Sequence, residues 1–162
     1  PGLAFGTGTH PTTRLCLQWL EQTDLRNRVL IDYGCGSGIL ALAAAKLGAS
    51  KVFAVDHDAQ AVLATLENAR NNEVGAVIEA GLPGALQLPQ ADVIIANIIA
   101  RPLIELKCTL LDHLRADGVL VLSGILSSQA DVVAASYLPE LRRAQQWQQD
   151  DWICMTLRGK TR

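Results

Sequence analysis

The chain has 162 residues, about half of them apolar, and a formal net charge of −2. That length suits one domain, and a chain of this size can bury a solid core without disulfide or metal staples. No basic run occurs anywhere, which argues against a direct nucleic-acid or membrane-surface partner.

The four cysteines, Cys16, Cys35, Cys108 and Cys154, are scattered, with no C-x-x-C pair and no histidine at zinc-site spacing. They are read as ordinary reduced cysteines of a cytoplasmic protein. No apolar run reaches the ~18 residues of a membrane span, and no signal-peptide pattern is present. The chain opens at Pro1 inside a glycine-rich segment, PGLAFGTGTHPTT, and is read as a fragment whose N-terminal part has been removed.

Strands and helices alternate along the chain. Residues 10–22 predict a helix, with Pro11 and two threonines at its start and Leu15, Trp19 and Leu20 along one face. VLIDY at 29–33 is a short apolar run of the kind a strand covered on both faces needs, and it breaks at GCGSG. Residues 39–48 predict an alanine-rich helix closed by a glycine. KVFAVD at 51–56 is a second strand, 59–72 a second helix, 76–80 a weaker third strand and 81–90 a loop. DVIIAN at 92–97 is a strong fourth strand, and Pro102 suits the first turn of a helix running to about Leu114. GVLVLSG at 118–124 is a fifth strand, followed by a helix from about Ser127 to Tyr137. The tail departs from this rhythm: RRAQQWQQ and DWICMTLRG, meeting at Asp150 and Asp151, predict an antiparallel strand pair.

The expected architecture is α/β, Rossmann-like: a mainly parallel seven-stranded sheet with a C-terminal antiparallel pair and helices on both faces. Such sheets bind ligands beyond the carboxyl ends of their strands. There, D-Y-G-C-G-S-G (32–38) joins the first strand to its helix. Glycine is needed where the turn takes positive φ or a ligand touches backbone. Gly34, Gly36 and Gly38, after a buried strand and before a helix, predict a nucleotide-type cofactor rather than a purely structural turn. The second strand ends in Asp56, about 20 residues beyond the glycines, where an acid accepts hydrogen bonds from ribose hydroxyls. Asp58, directly before the helical run, is assigned the helix cap.

These features alone leave two cofactors open, because Gly36 to Ala41 also satisfies the G-x-G-x-x-A dinucleotide fingerprint of an NAD-dependent oxidoreductase. Three observations favour methyl transfer. Asp32 places a carboxylate where a pyrophosphate would be repelled but a cationic sulfonium ligand carrying an amino group is welcome. The fourth strand ends in Asn97, placed to act on a substrate. The terminal antiparallel pair belongs more to methyltransferases than to dehydrogenases.

D-Y-G-C-G-S-G-I-L-A with V-D-H-D downstream resembles motifs I and II of class I methyltransferases. More specifically, residues 1–13 together with A-N-I-I-A (96–100) and L-S-G-I-L (122–126) resemble the bacterial family that methylates ribosomal protein L-eleven of the large subunit. The resemblance covers essentially the whole chain. It implies transfer of methyl groups from S-adenosylmethionine, leaving S-adenosylhomocysteine, to lysine side-chain amines and an N-terminal α-amine of that protein. It places cofactor contacts at Thr13, Gly34, Asp56 and Asn97, with Gly36 and Gly38 in the same loop. Phe5, Gly6 and Thr7 fall in a segment that closes over the methionine end of the cofactor. It further implies an N-terminal domain that recruits the ribosomal protein and is missing here. The strand ending N-I-I-A, rather than N-P-P-Y, counts against a glutamine or nucleobase methylase; a small-molecule or different protein substrate is the remaining alternative.

Asn97 is the expected catalytic residue, its side-chain carbonyl accepting a hydrogen bond from the acceptor amine. The histidines are left out of that role: His10 as a cap or packing residue at a helix start, His57 beside the adenine or in solvent, and His113 late in a helix.

Overall fold

The computed structural model describes residues 10–159. It begins with α1 (Pro11–Glu21), β1 (Val29–Tyr33), α2 (Ile39–Lys46), β2 (Lys51–Val55), α3 (Ala59–Asn71) and β3 (Ile78–Gly81). It continues with β4 (Ala91–Asn97), α4 (Ala100–Glu105), α5 (Lys107–Asp112), β5 (Leu114–Leu126), α6 (Ala130–Tyr137), β6 (Leu141–Gln149) and β7 (Trp152–Gly159). The seven strands form one sheet in the order β3-β2-β1-β4-β5-β7-β6. The first five are mutually parallel, while β7 runs antiparallel between β5 and β6. This is the doubly wound sheet with a terminal antiparallel pair that the sequence predicts.

Successive residues of a strand face opposite sides of a sheet, so apolar runs divide between two cores. Leu30, Val52, Ile95 and Val121 point to one face, where Leu20 of α1, Ala44 of α2 and Ala69 of α3 cover them. Ile31, Phe53, Ile94 and Leu120 point to the other, under Leu103 of α4, Leu110 of α5 and Val133 of α6. Strands buried on both faces need no polar alternation. The fully buried Tyr137 of α6 donates its hydroxyl to Leu103 O at 2.6 Å, tying α6 to α4.

Helix ends follow local chemistry. Pro11 occupies the first turn of α1, and the His10 ring accepts from Thr12 N–H as its cap. At the end of α2, Gly48 takes φ 107° while Ala49 N–H reaches Ala44 O and Gly48 N–H reaches Ala45 O. That pair of bonds is the left-handed glycine cap expected there. The helix predicted from Pro102 to Leu114 is instead two short ones, starting at Ala100 and broken at Leu106. β5 starts at Leu114, four residues early, because Leu114 pairs with Ala91 before the register shifts.

Candidate active site

The site is assembled where β1, β2 and β4 end side by side and β5 runs past. β1 delivers Asp32 and the loop of Gly34, Gly36 and Gly38; β2 is followed by Asp56; β4 ends in Asn97, whose register partner on β5 is Ser123.

The three glycines have φ of 82°, 56° and 88°, values that side-chain-bearing residues adopt only with strain. A Cβ on Gly34 would lie 2.5 Å from Ile98 Cγ2, and one on Gly38 would lie 2.8 Å from Thr65 Cγ2. Around Gly36 nothing lies within 4 Å. The loop is therefore packed at both ends and open in the middle.

Asp56 binds this loop directly. Its Oδ2 accepts from Gly36 N–H at 2.9 Å and its Oδ1 accepts from Asp58 N–H at 2.9 Å. Asp58 in turn accepts from Gln60 N–H at 2.9 Å and caps α3, as its position predicts. Each Asp56 oxygen keeps acceptor capacity beyond these bonds.

Two buried side-chain oxygens lack a hydrogen-bond partner among the described residues: Asp32 Oδ2 and Asn97 Oδ1. Burial pushes the Asp32 carboxyl up to about 7, with the nearby Asp56 charge adding to the rise and a bond from Ala41 N–H opposing it. The Asn97 amide donates from Nδ2 to the buried Thr13 Oγ1 on α1 at 3.4 Å, which leaves its carbonyl open. An unsatisfied buried acceptor costs about 1–3 kcal/mol, so both oxygens favour a ligand that brings donors or positive charge.

Beside the loop lies a cavity of about 450 Å³ walled by Gly34, Asp56, Pro83, Ile98, Pro102 and Leu106, among others. Apart from the carboxylate of Asp56 these walls are largely apolar. Ile98 is held from two sides, since a Cβ on Gly124 (φ 83°) would lie 2.5 Å from Ile98 O. Gly124 sits in a bulge of β5 between the paired residues Ser123 and Ile125. In the sequence it reads as the end of a strand; a glycine inside an apolar strand is itself a bulge signal. Thr65 and Asn68 of α3, which bond the glycine loop, carried no comparable signal.

His10 caps α1, and its ring meets Trp152 edge-on with centroids 4.9 Å apart; burial lowers its pKa. The His57 side chain is 92% exposed and also stands among the walls of the cavity beside Asp56. His113 sits at the C-terminal cap of α5. Phe5, Gly6 and Thr7 lie outside the described residues. Cys16, Cys35 and Cys154 are buried and free, and Cys108 is exposed. Among the described residues no cluster of three or more His, Cys, Asp or Glu could hold a metal, and no helix is long and apolar enough to cross a membrane.

Residues 1–160 match the family model described as ribosomal protein L11 methyltransferase (PrmA). The chain belongs to that family. A ribosomal protein L11 methyltransferase from Methylococcus capsulatus is 58% identical over 137 residues, covering 85% of this chain and 47% of the relative. One from Bordetella parapertussis is 51% identical over 155 residues, covering 96% and 50%. The chain thus spans about half the length of the curated relatives it matches. In three dimensions it is similar to a ribosomal protein L11 methylase from Lactobacillus delbrueckii subsp. bulgaricus, with a TM-score of 0.83 at 30% identity, over 95% of this chain and 81% of the other. An RNA methyltransferase from Salinibacter ruber, solved with S-adenosyl-L-homocysteine, shares the fold with a TM-score of 0.69 at 16% identity, over 88% of each chain. The seven-stranded class I methyltransferase fold expected for this family is the one observed.

Proposed function

We propose that this chain is the cofactor-binding and catalytic domain of an S-adenosylmethionine-dependent protein N-methyltransferase of the cytoplasm. Its substrates are lysine side-chain amines and the N-terminal α-amine of ribosomal protein L11. The observation that carries this reading is the open carbonyl of Asn97, buried beside the glycine loop in a chain of the L11 methyltransferase family. Family membership favours it over the NAD-dependent alternative. Because the matched relatives are about twice as long, recruitment of the ribosomal protein is assigned to a separate domain.

The residues fit the cofactor. A nucleoside needs apolar walls for its base and an acceptor for its ribose hydroxyls; the cavity beside Asp56 offers both. The unpartnered Asp32 oxygen favours a ligand carrying positive charge. When bound, S-adenosylmethionine supplies an electrophilic methyl group on a cationic sulfur with a good leaving group.

The chain's own residues then have four tasks. Gly34, Gly36 and Gly38 let a ligand approach backbone without side-chain interference. Asp56 accepts from ribose hydroxyls while retaining its bond to Gly36. Thr13 takes the Asn97 Nδ2 donor, which turns the carbonyl toward the reacting groups. Asn97 Oδ1 accepts an N–H of the incoming amine and aims its lone pair, an alignment effect rather than a proton transfer. The amine must arrive neutral, against a free-lysine pKa near ~10.4, and an apolar setting beside a positive sulfur favours the neutral form.

Calorimetric titration with S-adenosylmethionine, S-adenosylhomocysteine and NAD tests the cofactor. Binding of the first two without NAD is expected; binding of NAD alone would overturn the reading. Radiolabelled methyl transfer by the full-length protein to purified ribosomal protein L11, with unrelated basic proteins in parallel, tests the substrate.

A further inference from the structure

The glycine loop is gripped from beneath by one face of α3. Thr65, fully buried, donates its hydroxyl to Gly36 O at 3.0 Å. The Cys35 thiol lies 3.4 Å from the same hydroxyl oxygen, which is free to accept from it. The Thr65 side chain also fills the space where a Cβ of Gly38 would stand. One turn further along, Asn68 donates from Nδ2 to Ser37 O at 2.9 Å. With Gly36 N–H bound to Asp56, both backbone polar groups of Gly36 are held by side chains of the β2–α3 unit.

We infer that Thr65 and Asn68 are positioning residues for cofactor binding: they hold the Gly36 and Ser37 carbonyls so that the glycine loop is preformed before the cofactor arrives. The inference rests on the methyltransferase reading above. Three positive-φ glycines within five residues give the free loop many conformations, since glycine restricts its backbone least. Affinity falls in proportion to the fraction of molecules holding the competent one. The α3 bonds raise that fraction. Neither residue contacts the reacting groups, so once the protein is saturated with cofactor the methyl-transfer step proceeds at its usual rate.

The test is carried out on the full-length protein. Thr65→Val keeps the shape but leaves Gly36 O with only the long 3.9 Å contact from the Cys35 thiol, and is expected to weaken S-adenosylhomocysteine binding about tenfold. The KM for S-adenosylmethionine should rise in parallel while kcat holds. Thr65→Ser restores the hydroxyl and should restore affinity. Asn68→Ala, at a half-buried position, is expected to weaken binding by a smaller factor. In the ligand-free protein, hydrogen exchange at the Gly36 and Gly38 amides should accelerate in both Thr65→Val and Asn68→Ala. If Thr65→Val fails to fold, Asn68→Ala decides by the same two readouts. Wild-type affinity or unchanged loop exchange in a folded variant would overturn the inference, as would a fall in kcat with KM constant. Failure of the wild-type protein to bind S-adenosylhomocysteine would sink the cofactor reading, and the exchange rates would then judge the loop-positioning claim by themselves.

Discussion

At the glycine loop nearly every polar group is committed. Gly34 and Cys35 N–H both donate to Val55 O, Gly36 is held by Asp56 and Thr65, and Asn68 takes Ser37 O. At the end of β4, two strands' width away from β2, the reverse holds: Asn97 spends its amide N–H on Thr13 and leaves its carbonyl bare. The first region is built to keep one shape, and the second to receive a partner. A site that binds one molecule tightly and aligns another briefly needs both kinds of construction. The cost of leaving Asn97 Oδ1 unpaired is supported by the rigidity of the surrounding sheet, where β4 is paired on both sides.

The sharpest way to break this contrast is Asn97→Ala. Turnover should fall by about 10²–10³-fold, the usual effect of removing a preorganised hydrogen-bonding group, while calorimetric affinity for S-adenosylhomocysteine changes little. Near-normal turnover would reduce Asn97 to a strand end.

Asp32 tests the second open oxygen. Its folded-state pKa, about 7, lies above the ordinary 3.8. The folded chain therefore holds a proton that the unfolded chain has lost between these values, and stability falls as the pH rises through that window. The limiting slope is about 1.4 kcal/mol per pH unit. Urea midpoints measured from pH 4 to 8 should show this loss, and Asp32→Asn should remove it. Binding of the cationic cofactor should strengthen as the pH rises through about 7, because the ionised carboxylate is then available to it.

Two glycine variants separate packing from ligand approach. Gly34→Ala puts a methyl group into Ile98 and keeps a left-handed φ, for a loss of about 1–3 kcal/mol in thermal or denaturant unfolding. Gly36→Ala meets no atom within 4 Å and carries only the backbone strain, roughly 1–2 kcal/mol. If Gly36→Ala harms cofactor affinity more than it harms stability, the open middle of the loop is where the ligand sits; equal effects would argue against that. The smallest effect is expected at His10: losing the cap of α1 in His10→Ala should cost ~1 kcal/mol of stability and leave kcat nearly intact.

Much of this is legible in the sequence. VLIDY, KVFAV and DVIIAN announce buried strands because strands covered on both faces need unbroken apolar residues, and Asp58 announces its cap because it directly precedes a helical pattern. The break at Leu106 was hidden, since KCTLLD continues the apolar spacing of the helix before it. The early start of β5 was hidden too: Arg115, Ala116 and Asp117 have no strand pattern and fall in the irregularity between Leu114, which pairs with Ala91, and Val119, which pairs with Val93. The glycines and Asp56 were found because their chemistry is unusual for their place. Thr65 and Asn68 were missed because threonine and asparagine on a helix look ordinary; their partners stand about thirty residues earlier in the chain. Gly124 belongs to the same class, its need for glycine arising from its φ of 83° and from the carbonyl of Ile98, just past the end of the neighbouring β4.

The placement of β7 carries a consequence for the order in which the molecule is made. Strand β6 has β7 as its neighbour, and β7 follows the other six strands of this sheet in chain order. A nascent chain that has emerged only as far as Gln149 already contains β1 to β5, the glycine loop and Asn97. It cannot yet seat β6 or cover the outer edge of β5, an edge that runs along Leu120 and Leu122. The strands that carry the site are thus complete before β7 is made, while the far edge waits for β7 to enter against the direction of its neighbours. A stalled or truncated product would present a half-finished sheet with a long apolar border, the kind of surface that chaperones hold and that neighbouring chains stick to.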